Sequence, residues 1–315
     1  MSSRSLHLFV LAFLFCALFV FTGCEEKSSP HVKGGDSPSE GTVLKLGLVP
    51  EINIFEQRKR YLPLIEYLSE KTGLHIKMKI IESYRKVIDE MVGGDIDMAF
   101  LGSLTSAIAL ERGECQVLAR PLWEDDISTY SGLIFARKGD GMTSDINTWR
   151  GRRLALVHTL TTAGDLFQKA YMAERGIKDM SSFFGNISYA GSHDAAIDAV
   201  LNGDADMGGA KDLVFRSLAF QNEEINNKLV ILAESGRVPS NGLIICKKAD
   251  EKIREKIKSV LLSMDADPEG QEVLKKFKAK KFLETNKDDY APVYNMMKSI
   301  GIKPLDLLKV KNKVK

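Results

Sequence analysis

The chain has 315 residues, with 44 Lys plus Arg against 42 Asp plus Glu and a formal net charge of +2. Both signs are mixed along it, which excludes the basic footprint of a nucleic-acid-binding surface and an acidic tail. Its four cysteines show no metal or redox spacing, so no metal and no cofactor is expected.

The N-terminus carries Arg4, an apolar run from Leu8 to Phe21, and then Thr22-Gly23-Cys24. A spanning helix needs roughly 20 apolar residues, more than this run supplies. The pattern is that of a lipoprotein signal peptide, 1–23: Gly23 is small enough for the peptidase to approach, and Cys24 offers the thiol that takes the lipid. The chain is therefore expected in the cell envelope, anchored to membrane lipid through acylated Cys24 and facing the periplasm or the exterior. Residues 24–41 are Ser, Pro, Gly and charge without apolar periodicity. Such a segment cannot bury enough surface to offset its ordering entropy, and it reads as a flexible tether. Of the remaining cysteines, Cys115 and Cys246 lie in apolar, strand-like surroundings. An oxidising compartment would let them pair, and two buried reduced thiols are the simpler expectation.

From Leu44 the pattern changes. Leu44 to Val49 reads as a strand and Phe55 to Thr72 as a helix with Tyr61, Leu64, Ile65 and Leu68 on one face. Ile76 to Ile81 is a strand, Tyr84 to Val92 a helix, and Ile96 to Leu101 a strand again. Short apolar runs alternating with amphipathic segments predict βαβ units and largely parallel sheets buried between helices. The pentapeptide Gly94-Asp95-Ile96-Asp97-Met98 recurs as Gly203-Asp204-Ala205-Asp206-Met207, each time after an amphipathic helix. Two lobes of similar construction are the simplest cause, each ending a helix at the Gly-Asp turn and aiming its strand ends at a common crevice. Tyr130 to Lys138 and Pro239 to Lys247 share a small polar entry, an apolar run and a basic pair, as two hinge strands would. Residues 42–131 and 241–315 would then form lobe 1, with helices at the C-terminal end, and 132–240 lobe 2.

These segments carry a resemblance. Leu46-Gly47-Leu48-Val49-Pro50, Tyr61 to Leu68, Gly94 to Gly102, Trp149 to Ala155 and Gly191-Ser192-His193-Asp194-Ala195-Ala196 together resemble the phosphate/phosphite/phosphonate family of periplasmic binding proteins. The likeness covers most of Leu44 to Ile302. It implies an α/β, bilobal type II periplasmic-binding-protein fold, with two doubly wound lobes joined by two hinge strands. It implies too a monomer that binds a small oxyanion and delivers it to an ABC permease in the inner membrane. A receptor that signals its ligand through a membrane kinase or chemoreceptor is the alternative, since binding physics is the same for both. No paired acid and base or activated nucleophile stands out, so no enzyme is expected.

The site can be argued residue by residue. Thr161-Thr162-Ala163-Gly164 lies between the strand Leu154 to Val157 and the helix Asp165 to Arg175, where hydroxyls and unpaired N–H groups converge at a positive helix end. A plain N-cap at Thr162 is the bland alternative. The resemblance implies a Ser-Thr-Ser-Gly-like run here, so Ala163 lacks one hydroxyl. It also implies ligand contacts for His193, at a helix start, and for Tyr84; a helix cap and a half-buried aromatic are their structural alternatives. Ser103 and Thr105 form a second donor set before a helix expected over Ser106 to Arg112. Leu101 stands where many relatives have a tyrosine, a loss that Tyr130 at the first hinge would make good. Asn241 stands where aminophosphonate-binding relatives carry an aspartate, which disfavours an aminoalkyl ligand. Lys211, facing the crevice, would add a charge-assisted bond to an oxyanion; facing water, it would add nothing. Phosphate, phosphite and short phosphonates are the expected ligands.

Overall fold

A computed structural model describes residues 43–112, 115–246 and 248–309; the expected signal peptide, Cys24 and tether lie outside the described residues. The chain begins with β1 (Val43–Leu48), α1 (Ile54–Thr72), β2 (His75–Ile80), α2 (Tyr84–Gly93), β3 (Met98–Leu101), α3 (Ser103–Glu111) and β4 (Cys115–Trp123). It crosses through β5 (Thr129–Tyr130) into β6 (Gly132–Arg137). Then come β7 (Arg153–Leu156), α4 (Phe167–Glu174), α5 (Met180–Phe183), β8 (Asn186–Tyr189), α6 (His193–Leu201), β9 (Met207–Lys211), α7 (Asp212–Gln221), α8 (Glu223–Lys228) and β10 (Leu229–Glu234). It returns through β11 (Val238–Pro239) to β12 (Gly242–Cys246), α9 (Glu251–Leu262), α10 (Pro268–Phe277), β13 (Ala279–Glu284) and α11 (Ala291–Ser299). No helix among the described residues is long and apolar enough to cross a membrane.

Two sheets result, in the orders β13-β4-β12-β3-β1-β2 and β10-β6-β9-β7-β8. Each is the centre of a lobe, with apolar side chains packed on both faces. In the first, Tyr61, Leu64, Ile65 and Leu68 of α1 pack with Leu44, Leu46 and Leu48 of β1, the stripe expected from helical spacing. Each such side chain contributes about 1.5–3 kcal/mol. A further cluster unites Leu104 and Ile108 of the first lobe with Val157, Leu160 and Ala163 of the second, so the lobes meet through apolar contact as well as polar bonds.

The expectation of largely parallel sheets is corrected. Pairing is parallel for β1 with β2 and β3, and for β7 with β8 and β9. It is antiparallel wherever β12 or β6 takes part. These are the strands that enter from the hinge. Gly242 lies opposite Leu101 and Gly132 opposite Lys211, so each leaves the crevice at the point where its antiparallel neighbour arrives. The two crossings themselves pair as a short ribbon, Val238 with Tyr130 and Pro239 with Thr129.

The repeated pentapeptide does the same work twice. Gly94 and Gly203 adopt φ of 83° and 88° to end α2 and the α6 turn. The second aspartate of each then braces the start of a parallel strand in its sheet, β1 or β7. Asp97 accepts from Lys45 N at 2.8 Å and its own N–H donates to Lys45 O at 3.0 Å. Asp206 accepts from Arg153 N at 2.8 Å and its N–H donates to Arg153 O at 2.9 Å. The lobes are thus two copies of one β-α plan.

Cys115 and Cys246 are partners in the β4–β12 ladder, with their sulfurs 3.0 Å apart. The expectation left their pairing open, and here the contact is S–H···S. Hydrogen bonding to Cys115 and burial push the Cys246 thiol up, which keeps it protonated and slow to exchange.

Two outcomes follow. The guanidinium of Arg153, against some opposing burial, holds Asp206 at about 2, below the unfolded value of roughly 3.9. Its stabilisation is therefore complete above about pH 4 and lost as the pH falls through about 2. Asp206→Asn should cost about 1.5–3 kcal/mol at pH 7 in denaturant unfolding and almost nothing at the acid limit; a cost independent of pH would contradict this role. Second, oxidised glutathione should close Cys115 and Cys246 into a disulfide, releasing two reduced glutathiones. Intact mass should fall by two hydrogens and the melting temperature rise.

Candidate functional site

Side chains from six strand ends, three per lobe, reach one crevice. After β1 comes Glu51, after β2 Tyr84, after β3 Ser103 and Thr105; after β7 come Thr161 and Thr162, after β8 His193, and at the end of β9 Lys211. Carboxyl ends of parallel strands are where open α/β sheets bind ligands. Here the two sets face each other across a small cavity whose lining comes from both lobes.

The helix starts divide into two kinds. Ser83 caps α2 by accepting from Lys86 N, and Ser192 caps α6 by accepting from Ala195 N. Tyr84 and His193, next in the chain, occupy equivalent first positions in the two lobes. Neither α3 nor the helix after Thr161 has a side-chain cap. Gly102 lacks an oxygen to give, and the Thr161 hydroxyl donates to His158 O at 2.7 Å instead. The second of these helices begins as a π-turn, Thr162–Leu166, before α4. Its tight seat against β7 requires Gly164, where an added Cβ would lie 2.4 Å from Val157. Two first turns therefore aim unpaired N–H groups into the crevice, the arrangement that favours an anion. They meet at Ser103, whose hydroxyl lies 2.9 Å from that of Thr162 and 2.5 Å from that of Tyr130. Burial raises Tyr84 and Tyr130 above the ordinary phenol value, so both remain O–H donors at neutral pH.

Beside this hydroxyl group lies an ion pair between buried Lys211 and part-buried Glu51. Lys211 Nζ bonds Glu51 Oε1 and lies 3.2 Å from Asn241 Oδ1, while Asn241 Nδ2 donates to Glu51 Oε2 at 2.8 Å. Burial alone would raise the Glu51 carboxyl, but Lys211 and His193 outweigh it and the net shift is downward. Glu51 also crosses the crevice by its main chain, its carbonyl accepting from His193 N at 3.1 Å, while Asn53 N donates to Asp194 Oδ2 at 2.8 Å. Burial, only partly opposed by Glu51, lowers His193 to about 4. Its ring is therefore neutral, with Nδ1 accepting from Lys211 N at 3.2 Å. On the far side Tyr84 stacks on His158, with ring centroids 5.4 Å apart.

Of the expected residues, Tyr84, Thr105, Tyr130, Thr161, Thr162, Ala163, His193, Lys211 and Asn241 line the cavity. Ser103 lies behind them as the hub of the hydroxyl group. Leu101 does not line it: the side chain is fully buried in the core, opposite Gly242. Three expectations are corrected. α3 begins at Ser103 rather than Ser106, which places Ser103 and Thr105 inside its first turn. Thr161, not Thr162, holds the cap position. A carboxylate does stand beside Asn241, namely Glu51, with Lys211 as its cation. Glu51 went unnoticed because Pro50-Glu51 reads as a surface turn; its position just past the end of β1 was the signal available. Among the described residues no group of three or more His, Cys, Asp or Glu could hold a metal ion.

Comparison with known proteins places this geometry. A phosphate-import protein of Mycolicibacterium smegmatis is 25% identical over 205 residues, covering 62% of this chain and 63% of that protein, so the matched stretch spans less than two thirds of the relative. The phosphonates-binding periplasmic protein of Escherichia coli is 20% identical over 238 residues, covering 74% and 70%. Among solved structures, a binding-protein component of a phosphonate ABC transporter from Pseudomonas aeruginosa superposes with a TM-score of 0.74 at 18% identity, over 82% of this chain and 86% of that one. PhnD1 of Prochlorococcus marinus, solved with methylphosphonate, gives 0.73 at 20% identity, over 82% and 98%. At such identities the likeness is one of fold: two α/β lobes of the periplasmic-binding-protein type. The family model described as "ABC transporter, phosphonate, periplasmic substrate-binding protein" matches residues 46–290. With that match over most of its length, the chain belongs to the phosphonate periplasmic substrate-binding protein family of ABC transporters.

Proposed function

We propose that this chain is an extracytoplasmic, lipid-anchored receptor that binds a small phosphorus oxyanion between its lobes and presents it, without turnover, to an ABC permease. One observation carries the reading: two helix starts without side-chain caps, one per lobe, converge on the linked hydroxyls of Ser103, Thr162 and Tyr130. Such a site supplies donors from both sides and neutralises negative charge with helix dipoles rather than a free cation. Because half of the donors sit on each lobe, an anion that joins them also closes the crevice. The names of the relatives favour phosphate or a phosphonate, and one structural neighbour holds methylphosphonate. The cavity is small and lined by hydroxyls from both lobes, which favours phosphate, phosphite or a short phosphonate over larger ligands. The lobe boundaries in this proposal are those read from the sequence, 42–131 with 241–315 and 132–240; that each sheet draws its strands from one of these sets supports the division. The monomer and the lipid at Cys24 belong to the same proposal.

Titration calorimetry with phosphate, phosphite, methylphosphonate and sulfate tests it. Heat of binding is expected with at least one phosphorus oxyanion, and Thr162→Val should weaken that ligand about tenfold by removing one hydroxyl donor. Silence across the whole phosphorus panel would overturn the assignment.

The lobe contact also carries a pH response. Burial, with a smaller push from Arg85, lowers His158 to about 4, against roughly 6.5 once opening exposes the ring to water. A depressed value means that closure is fully favoured above about pH 6.5 and loses this support as the pH falls toward about 4. Stopped-flow ligand release should quicken about tenfold between pH 7 and pH 5. His158→Phe, which retains a ring against Tyr84, should flatten the profile; superimposable profiles for the two proteins would remove His158 from the account.

A further inference from the structure

Lys211 is 4% exposed, and its ammonium lies among three groups that suit a cation. Glu51 supplies a carboxylate oxygen, Asn241 an amide carbonyl at 3.2 Å, and Tyr130 the face of its ring, with Nζ 4.6 Å from the centroid. An aromatic face attracts an ammonium electrostatically, the more so when both are out of water. The amide orientation of Asn241 is fixed by the same arrangement, its oxygen toward the ammonium and its nitrogen donating to Glu51 Oε2 at 2.8 Å. This is a complete receptor for a primary amine, and the chain's own side chain fills it.

The cage adjoins the oxyanion site. Tyr130 belongs to both, since its hydroxyl joins Ser103 while its ring covers Lys211. Glu51, Lys211 and Asn241 line the inner cavity and also a wider groove of about 980 Å³ between the lobes. They form the partition between the two spaces. A ligand seated at the hydroxyls meets this partition with whatever substituent it carries.

We infer that Lys211 is a resident ammonium, occupying a cation subsite built of Glu51, Asn241 and Tyr130, and that it thereby sets the receptor against ligands bearing their own amine. The inference rests on the oxyanion reading of the pocket. With Lys211 in place, an aminoalkyl phosphonate brings a second ammonium to a cage whose single carboxylate is already matched, and like charges in a buried site are strongly disfavoured. With the lysine cut back, the carboxylate is left buried without its cation, a costly state. A ligand amine of suitable reach restores the pair.

The test uses the full chain and its Lys211→Ala and Lys211→Ala/Glu51→Gln variants. Calorimetry compares methylphosphonate with aminomethyl-, 2-aminoethyl- and 3-aminopropylphosphonate, and thermal unfolding is followed with and without methylammonium. The unaltered chain should prefer methylphosphonate to every amino ligand by at least about tenfold, a measurement that needs no variant. Lys211→Ala should reverse that preference for at least one chain length by a similar factor, and the double variant should abolish the gain. Methylammonium should raise the melting temperature of Lys211→Ala alone, or restore its folding if the variant fails to fold without an amine. A preference of the unaltered chain for an amino ligand, or no response of Lys211→Ala to any amine, would overturn the inference. If the unaltered chain binds no phosphorus oxyanion while methylammonium still stabilises Lys211→Ala, the cation subsite stands and the oxyanion reading falls.

Discussion

A part-buried carboxylate in one lobe and a buried ammonium in the other set the terms for everything around them. Glu51 and Lys211 are separated by 160 positions in the chain, and each would be expensive to bury alone. Together they are tolerated only when the lobes are closed on one another, because the opposing lobe supplies the partner. Their mutual neutralisation leaves the rest of the pocket without net charge. What an incoming anion then meets is the set of oriented dipoles and hydroxyls at two helix starts, whose geometry depends on closure in the same way.

That dependence explains the economy of the architecture. Two lobes with the same strand-helix plan present their strand ends to each other, so equivalent positions become opposing walls: Tyr84 and His193 each follow a capping serine, and Ser103 meets Thr162. The hinge ribbon of β5 and β11 holds the lobes in register through few bonds, while β6 and β12 embed each crossing deep in its sheet. Rigid lobes on a light hinge let a ligand that accepts from donors on both lobes bias the open and closed populations by its differential affinity.

Much of this was legible in the chain itself, for physical reasons that also mark where legibility stops. Strand and helix periods, the Gly-Asp turns and the hinge segments are local signals, and they located β1 to β3, the two-lobe plan and the helix starts of the site to within a few residues. The direction of β6 and β12 was not local; it follows from the path through the hinge. The uncapped start of α3 was half visible, since Gly102 has no side-chain oxygen, yet its first residue was set three positions late because Ser103 and Thr105 resemble caps. The pairing of Glu51 with Lys211 was invisible, because a charged residue is read as exposed or as free for a ligand until a distant partner is known. Leu101 was assigned to the pocket because many relatives have a tyrosine there, and the sheet instead turns it into the core.

The π-turn at Thr162–Leu166 amounts to one extra residue threaded into the beginning of a helix that otherwise keeps the ordinary rise. An α-helix advances about 100° per residue about its axis, so a chain shortened by a single position here would keep the same strand, the same helix and nearly the same length while swinging the donors of that turn by about that angle. Orientation toward the opposing lobe is thus encoded as a count of residues rather than as a choice among side chains, and length variation at this point re-aims the pocket without touching its composition.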